Sequence, residues 1–346
     1  LFSTPLRDLE EKLGANFGEF ASWEMPMGFT GYQDEHMAVR TNAAVFDLFH
    51  MGRLRVRGKE SELDYLVSKE IPEKDGEMSG PTAFLNQRGG FIDDVMLYRV
   101  EKGHYLVVTN AVNRQKVAEW IRRNSSLEVE DLTFNYAMLA VQGKRAIQIM
   151  GDLGLDHLKF KLNTKLGKSE VYLVSRSGWT GEEGYEIWAT PDEARELMTS
   201  LIEKGAKPAG LVARDSLRME MGFVLYGEDI DENVNPVEAR YWVFSLNKDY
   251  VGKDSIIDAL KDGVRRVRVG MRFEKGVRIV PRSGNRVVLL EKEIGRVTSG
   301  TFSPYLNRAI AMGYIYASHA LMGLRAQVEV RSRLHTVKIS DFPFIK

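Results

Sequence analysis

The sequence predicts an α+β protein with a ferredoxin-like unit and a small β-barrel near its C-terminal end. Two observations carry this reading. Between 54 and 142 the patterns run strand, helix, strand, strand, helix, strand, which is the order of a ferredoxin-like unit. After 265 short strand-like runs alternate with Gly/Ser turns such as Arg282-Ser283-Gly284-Asn285 and Ser299-Gly300-Thr301, the signature of a small barrel. The length of 346 residues suits two or three domains, and 247–252 reads as the joint before the barrel.

The elements follow in order. Thr4 as cap, Pro5 at the first helical position, and Leu6, Leu9 and Leu13 at helical spacing predict a helix over 4–15, ended by Gly14. A second helix is expected over 34–42. Residues 54–57 alternate like a strand, and Gly58 stops them. A short helix over 61–67 precedes strands at 91–100 and 104–109. Residues 113–123 read as helix and 134–142 as strand. A similar rhythm then repeats: helix over 145–150, strands at 170–176 and 184–189, helix over 191–204. No low-complexity tract or solenoid repeat interrupts the chain.

A hydrophobic content of 44% supports a sizeable core, and 48 basic residues balance 48 acidic ones. That balance does not point to nucleic acid as a partner, which normally leaves a basic excess, and it leaves room only for local patches. No apolar run reaches the roughly 18 residues of a membrane-spanning helix. The first residues are charged early and lack a signal-peptide core, so a cytoplasmic protein is expected. The absence of cysteine rules out disulfides, thiolate metal sites and a cysteine nucleophile. The six histidines show no helical zinc-pair spacing.

The most informative stretch is Gly89-Gly90-Phe91-Ile92-Asp93-Asp94-Val95-Met96-Leu97-Tyr98. The glycines allow a tight turn, and the strand after them sends Asp93 and Asp94 to opposite faces. An inward carboxylate needs a partner or a task; otherwise both aspartates close the turn and stay wet. Four further segments stand out. In Trp23-Glu24-Met25-Pro26 the tryptophan reads as core and the glutamate as exposed. In Phe46-Asp47-Leu48-Phe49-His50-Met51-Gly52, His50 is either catalytic or an ordinary structural histidine. Residues 175–186 hold three glycines, two aromatics and three acids. The acids repel phosphate but can accept hydrogen bonds from a heterocycle, with Trp179 or Tyr185 stacking on its face; a wet acidic hairpin is the alternative. In 213–236, Arg214 and Arg218 lie one helical turn apart and suit a carboxylate ligand, or else pair with Asp215 and Glu220. The acids at 228–232 resemble a calcium loop in composition but not in spacing.

Taken together these strings resemble the aminomethyltransferase (T-protein) family of the glycine cleavage system. WEMP, FDLFHMG, GGFIDD, SRSGWTGEEGYE, ARDSLRMEMGFVLYGEDIDENVNP and TSGTFSP occur in family order from Trp23 to Pro304. The resemblance implies a three-domain cloverleaf around a central folate channel. Its parts would be a folate-binding α+β domain from 1–50 and 143–246, a ferredoxin-like domain over 51–142 carrying the catalytic aspartate, and a C-terminal β-barrel domain over 247–346. It implies transfer of a one-carbon unit from the aminomethyl-lipoyl arm of a transiently bound carrier, the H-protein, to the co-substrate tetrahydrofolate, with release of ammonia and without a metal. By the motif match Asp94 is the key aspartate, Glu186 holds the pterin, Asn110 contacts the folate, Arg214 meets its glutamate end, and Met51 and Trp179 line the pocket. Arg282, in a weakly matched segment, falls near the lipoyl arm.

The chemistry of the residues agrees. A folate nitrogen must attack a carbon bearing an amine, and an ionised aspartate can orient that nitrogen, take its proton and stabilise the cation that develops. Four positions depart from the family pattern: Phe49 where serine is usual, Trp179 where tyrosine is usual, Lys144 where proline is typical, and Pro81 near where family members often place a folate-lining tyrosine. They touch the pocket rim and bear on the one-carbon donor more than on folate. Folate-dependent demethylases of small methylated substrates, which share the fold, are the competing reading; their aspartate segment differs, and GGFIDD favours the glycine cleavage role. Non-catalytic folate-binding proteins of iron–sulfur assembly carry a cysteine signature that this chain lacks.

Overall fold

The structure is a computed structural model that describes residues 1–346. It divides into two compact units. One comprises Leu1–Phe84, Ile92–Arg214 and Ser245–Tyr250; the other comprises Leu85–Phe91, Asp215–Phe244 and Val251–Lys346.

The first unit contains a five-stranded sheet. From edge to edge it runs Met78–Leu85, Phe91–Glu101, His104–Thr109, Gly52–Arg57 and Glu128–Asp131. Helices Glu60–Leu66 and Arg114–Asn124 connect its strands. Without the added edge strand Met78–Leu85, this is the ferredoxin-like order that the sequence predicts. One strand differs from expectation. The fourth strand of the unit is Glu128–Asp131, not a strand over 134–142. Glu128–Asp131 is mostly exposed and sits at an edge, whereas Ala137–Gln142 is buried at every position and needs cover on both faces.

Ala137–Gln142 instead lies inside a six-stranded sheet, ordered Phe160–Leu166, Ser169–Ser175, Gly184–Ala189, Ala137–Gln142, Ala44–Asp47 and Lys207–Ala209. Helix Pro191–Glu203 packs on it, capped by Thr190. A small sheet of Phe2–Ser3, Trp23–Gly28 and Asn16–Phe20 completes the unit. The first helix spans only Arg7–Lys12, and no side chain caps it. Thr4, expected as the cap, instead donates its hydroxyl to Asp47 and accepts the Leu6 N–H, so tertiary contact overrides the local capping signal.

In the second unit Arg266–Phe273, Arg308–Tyr316, Lys292–Ser303, Arg286–Leu289, Arg325–Val330 and Arg333–Ser340 close into a barrel. Alternation sends Val269, Met271, Phe273, Val328, Val337 and Ile339 into one apolar core and the residues between them outward.

Candidate active site

The strand Phe91–Glu101 separates the two aspartates as its pleat dictates: Asp93 is fully buried and Asp94 half-buried. Asp93 Oδ2 accepts the Asn110 backbone N–H at 3.0 Å, and its Oδ1 accepts the side-chain amides of Asn110 at 2.8 Å and Asn113 at 2.7 Å. The Asn110 amide also reaches Asp94 Oδ1 at 2.8 Å. Asn110 therefore fixes both carboxyls, and its Oδ1 is the atom left for a ligand. Burial, and then the charge of Asp94, push Asp93 well above the usual carboxylate range, against the pull of the Asn113 and Asn110 donors. Two adjacent carboxyls resist double ionisation, so the negative charge is favoured on Asp94, the member nearer solvent.

Glu186 lies on the buried strand Gly184–Ala189, directly across from Ser175. Ser177 donates its hydroxyl to Glu186 Oε2 at 2.6 Å, and the Ser175 and Ser177 hydroxyls are 2.8 Å apart. No donor in the chain reaches Oε1. The Tyr98 phenol is driven up by burial and by the charge of Glu186, so it stays a neutral hydroxyl beside that carboxylate. The loop before the strand is shaped by Gln142. Its Nε2 donates to the Ser177 carbonyl at 3.0 Å, and its Oε1 accepts the Thr180 hydroxyl at 2.8 Å. A Cβ at Gly178 would collide with that Gln142 amide, so only glycine fits there. Trp179 is half-buried on this loop. Tyr185 is fully buried, and its hydroxyl accepts the Leu153 N–H at 3.3 Å; it packs in the core and cannot stack on a ligand.

The segment 48–51 is held from two sides. Asp47 Oδ1 accepts the Phe49 N–H at 2.8 Å. The fully buried Arg53 donates to the carbonyls of Met51 (2.6 Å), Phe49 (3.0 Å), Thr133 (2.6 Å) and Tyr136 (3.0 Å). Behind Asp47 lies Glu10, also fully buried. Burial, and then the Asp47 charge, raise its carboxyl to about 10, and burial raises Asp47 as well. His50 stands edge-on to Phe20 with ring centroids 5.5 Å apart, and its Nδ1 is buried without a partner. Burial, and then the charges of Arg214 and Arg53, pull His50 down to about 3. It is a neutral imidazole at physiological pH. Met51 is half-buried beside it.

Arg214, on the helix Leu211–Met221, is half-buried, with Nη1 enclosed and unpaired. Burial lowers its guanidinium and the Glu186 charge opposes that, so it lies within electrostatic reach of Glu186 as well as His50. Met51, Asp94, Asn110, Trp179, Glu186 and Arg214 all belong to the first unit. Arg218 does not join Arg214 in a carboxylate fork. It donates to Asp229 at 2.7 Å, Asp215 at 2.8 Å and Ser299 at 3.0 Å, while Glu220 takes the Ser303 hydroxyl. With Asp229 consumed in this way, the 228–232 segment forms no metal cluster. Arg282 is exposed at a turn of the second unit, where its N–H donates to Asn285 Oδ1 at 2.8 Å.

Asn113, Ser177, Gln142 and Arg53 were not singled out by the sequence. Ser175 and Ser177 flank the acidic hairpin at strand spacing, a signal that points to Glu186 once strand pairing is known. Asn113 and Gln142 act on partners far along the chain, and Arg53 ties its own neighbours Phe49 and Met51 to the distant Thr133 and Tyr136.

Comparison with known proteins agrees with this architecture. The family described as GCVT N-terminal domain matches residues 6–248, and the glycine cleavage T-protein C-terminal barrel domain matches 266–346. The chain is 39% identical to a probable aminomethyltransferase of Aeropyrum pernix, covering 98% of this chain and 96% of that one. It is 39% identical to the aminomethyltransferase of Halothermothrix orenii, covering 99% of each. The crystal structure of glycine cleavage system aminomethyltransferase T from Bartonella henselae superposes with a TM-score of 0.91 at 31% identity, covering 100% of this chain and 98% of that one. On this ground the chain belongs to the glycine cleavage T-protein family of aminomethyltransferases, enzymes that transfer one-carbon units.

Proposed function

We propose that the chain moves the one-carbon unit from the aminomethyl-lipoyl arm of a carrier, the H-protein, to tetrahydrofolate, with release of ammonia. The observation that supports this best is the aspartate pair: a half-buried Asp94 held by Asn110 against a buried, charge-suppressed Asp93. Tetrahydrofolate, as co-substrate, supplies the nitrogen that accepts the one-carbon unit. The residues fit it: Glu186 Oε1 is an acceptor without a donor, and Arg214 Nη1 is a buried donor without an acceptor. Glu186 takes pterin N–H groups, Arg214 offers the folate a cation, Asn110 offers its Oδ1, and Trp179 and Met51 supply apolar cover. Asp94 orients the attacking amine, accepts its proton, and stabilises the positive charge that develops at the transferred carbon. A second ionised carboxylate at Asp93 would make proton acceptance less selective, and burial removes it.

The same reading keeps three domains, 1–50 with 143–246, 51–142 and 247–346, and places the carrier against Arg282. The test runs the reaction backward. The chain is supplied with methylene-tetrahydrofolate, ammonia and reduced lipoylated H-protein, and aminomethylated carrier is measured by mass spectrometry. Carrier modification that requires the chain is expected. No modification, together with one-carbon release from a small methylated amine in the absence of carrier, would replace this reading with a demethylase.

A further inference from the structure

The overall charge balance conceals an uneven distribution. Residues 266–346 carry 15 Lys and Arg against 5 Asp and Glu, a net +10, so residues 1–265 carry −10. Three of these five acids are already engaged in ion pairs. Glu293 pairs with Arg286 and Arg296, and Glu329 with Arg286, while Asp341 pairs with Arg240 at 2.6 Å.

Three of the remaining cations form a row. Arg272 sits directly opposite Lys338, and Lys338 opposite Arg325, on three adjacent antiparallel strands. Their neighbours Met271, Phe273, Val337, Ile339 and Ala326 fill the core, so all three point outward on one face. Like charges directly opposite in a sheet destabilise it, and none of the three forms an ion pair. Arg272 is anchored: its Nη2 donates to the Phe344 carbonyl at 2.6 Å, and the guanidinium lies 5.3 Å from the Phe344 ring centroid. Its other nitrogens have no acceptor. Burial, and then the charge of Arg308, hold Arg272 below its ordinary value. Arg272 and Lys338 line a cavity of about 370 Å³ together with Met322, Ser340 and Asp341. The Ser340 hydroxyl is buried there without a partner.

We propose that this row is a docking site for a carboxylate-rich segment of a partner protein, beyond the folate reaction and on different strands from the Arg282 turn. Guanidinium forks match carboxylates, and the local cationic excess supplies charge complementarity and steering. The surroundings favour protein over nucleic acid. Leu321 and Met322 beside the cavity are exposed apolar side chains, and no aromatic ring lines the cavity for base stacking.

The test uses the full chain and a fluorescein-labelled hexaglutamate peptide, followed by anisotropy at low salt. Replacing the row by R272Q, R325Q and K338Q should weaken binding by roughly 10-fold, since exposed ion pairs contribute modestly one by one. The R325Q/K338Q double variant, which leaves the Arg272 anchor in place, should lose an intermediate amount. Replacing three exposed cations at barrel hairpins, K292Q, R331Q and R333Q, changes net charge equally and should leave binding nearly intact. Equal loss in both triple variants, or no binding by the parent chain, overturns the site. Tighter binding of a six-nucleotide single-stranded RNA than of the peptide assigns the face to nucleic acid and overturns the proposal. So does a self-association, seen by ultracentrifugation, that only the row variant abolishes.

Discussion

Replacing Glu186 by glutamine keeps the shape of the side chain and removes its charge. In the structure the Ser177 hydroxyl occupies Oε2 at 2.6 Å and no donor reaches Oε1, so in the proposed function the free oxygen is the one offered to pterin N–H groups. A hydrogen bond to a charged group contributes about 1.5–3 kcal/mol. Glu186→Gln should therefore weaken tetrahydrofolate binding by roughly 10- to 150-fold. Because Glu186 is distant in sequence and role from Asp94, kcat at saturating folate should change far less than KM. Ser177→Ala frees the carboxylate to rotate and should produce a smaller loss in the same direction. Calorimetric titration of the free chain with tetrahydrofolate measures both. Unchanged affinity in Glu186→Gln would refute the assignment, and a larger effect from Ser177→Ala than from Glu186→Gln would show that the serine itself is the ligand contact.

Three other expectations follow from the same geometry. Arg53→Met strips four carbonyls of their shared donor and should cost about 3 kcal/mol or more, read as a lower denaturation midpoint and a raised KM for folate through the loosened 48–51 segment; an unchanged midpoint would contradict the role. Glu10 has a folded value of about 10 against 4.5 unfolded, so its contribution to stability is complete below about pH 4.5 and is lost as pH rises toward 10. Glu10→Gln should gain stability over the parent chain between pH 6 and 9, by up to about 1.4 kcal/mol per unit for one proton, and denaturation curves that stay parallel across that range would argue against it. Arg282→Ala should raise the apparent KM for the carrier and leave folate affinity nearly alone, with the carrier effect shrinking as salt rises; equal losses toward both would place Arg282 elsewhere in the mechanism.

Which parts of this protein are legible in its sequence depends on how local the governing physics is. The strands Phe91–Glu101 and His104–Thr109 announce themselves through β-branched and aromatic content, and the barrel through its turns. Met78–Leu85 does not, because Gly80 and Pro81 interrupt it; proline is tolerated there since the strand lies at a sheet edge. Asn16–Phe20 and Phe160–Leu166 are short or charged and largely exposed, so no hydrophobic pattern marks them. Thr4 carries a sound capping signal that loses to Asp47, 43 residues away. The separation of Asp93 from Asp94 follows from strand alternation alone. Their support by Asn110 and Asn113 does not, since it depends on how two strands and a turn meet. Tyr185 and Trp179 are equal candidates in the sequence, and only burial separates them. The resemblance to a family supplies the functional roles that spacing cannot.

The central claim is that Asp94 is the carboxylate that assists transfer, and single-turnover kinetics test it most directly. Purified chain charged with methylene-tetrahydrofolate is mixed with ammonia and reduced H-protein, and the first turnover is followed for the parent, Asp94→Asn and Asp93→Asn. The account predicts a fall of roughly 100-fold or more for Asp94→Asn with folate affinity largely kept. For Asp93→Asn it predicts a smaller kinetic effect accompanied by lost stability, because that side chain is buried among three donors. Near-parent turnover in Asp94→Asn, with the large loss falling on Asp93→Asn, would contradict it.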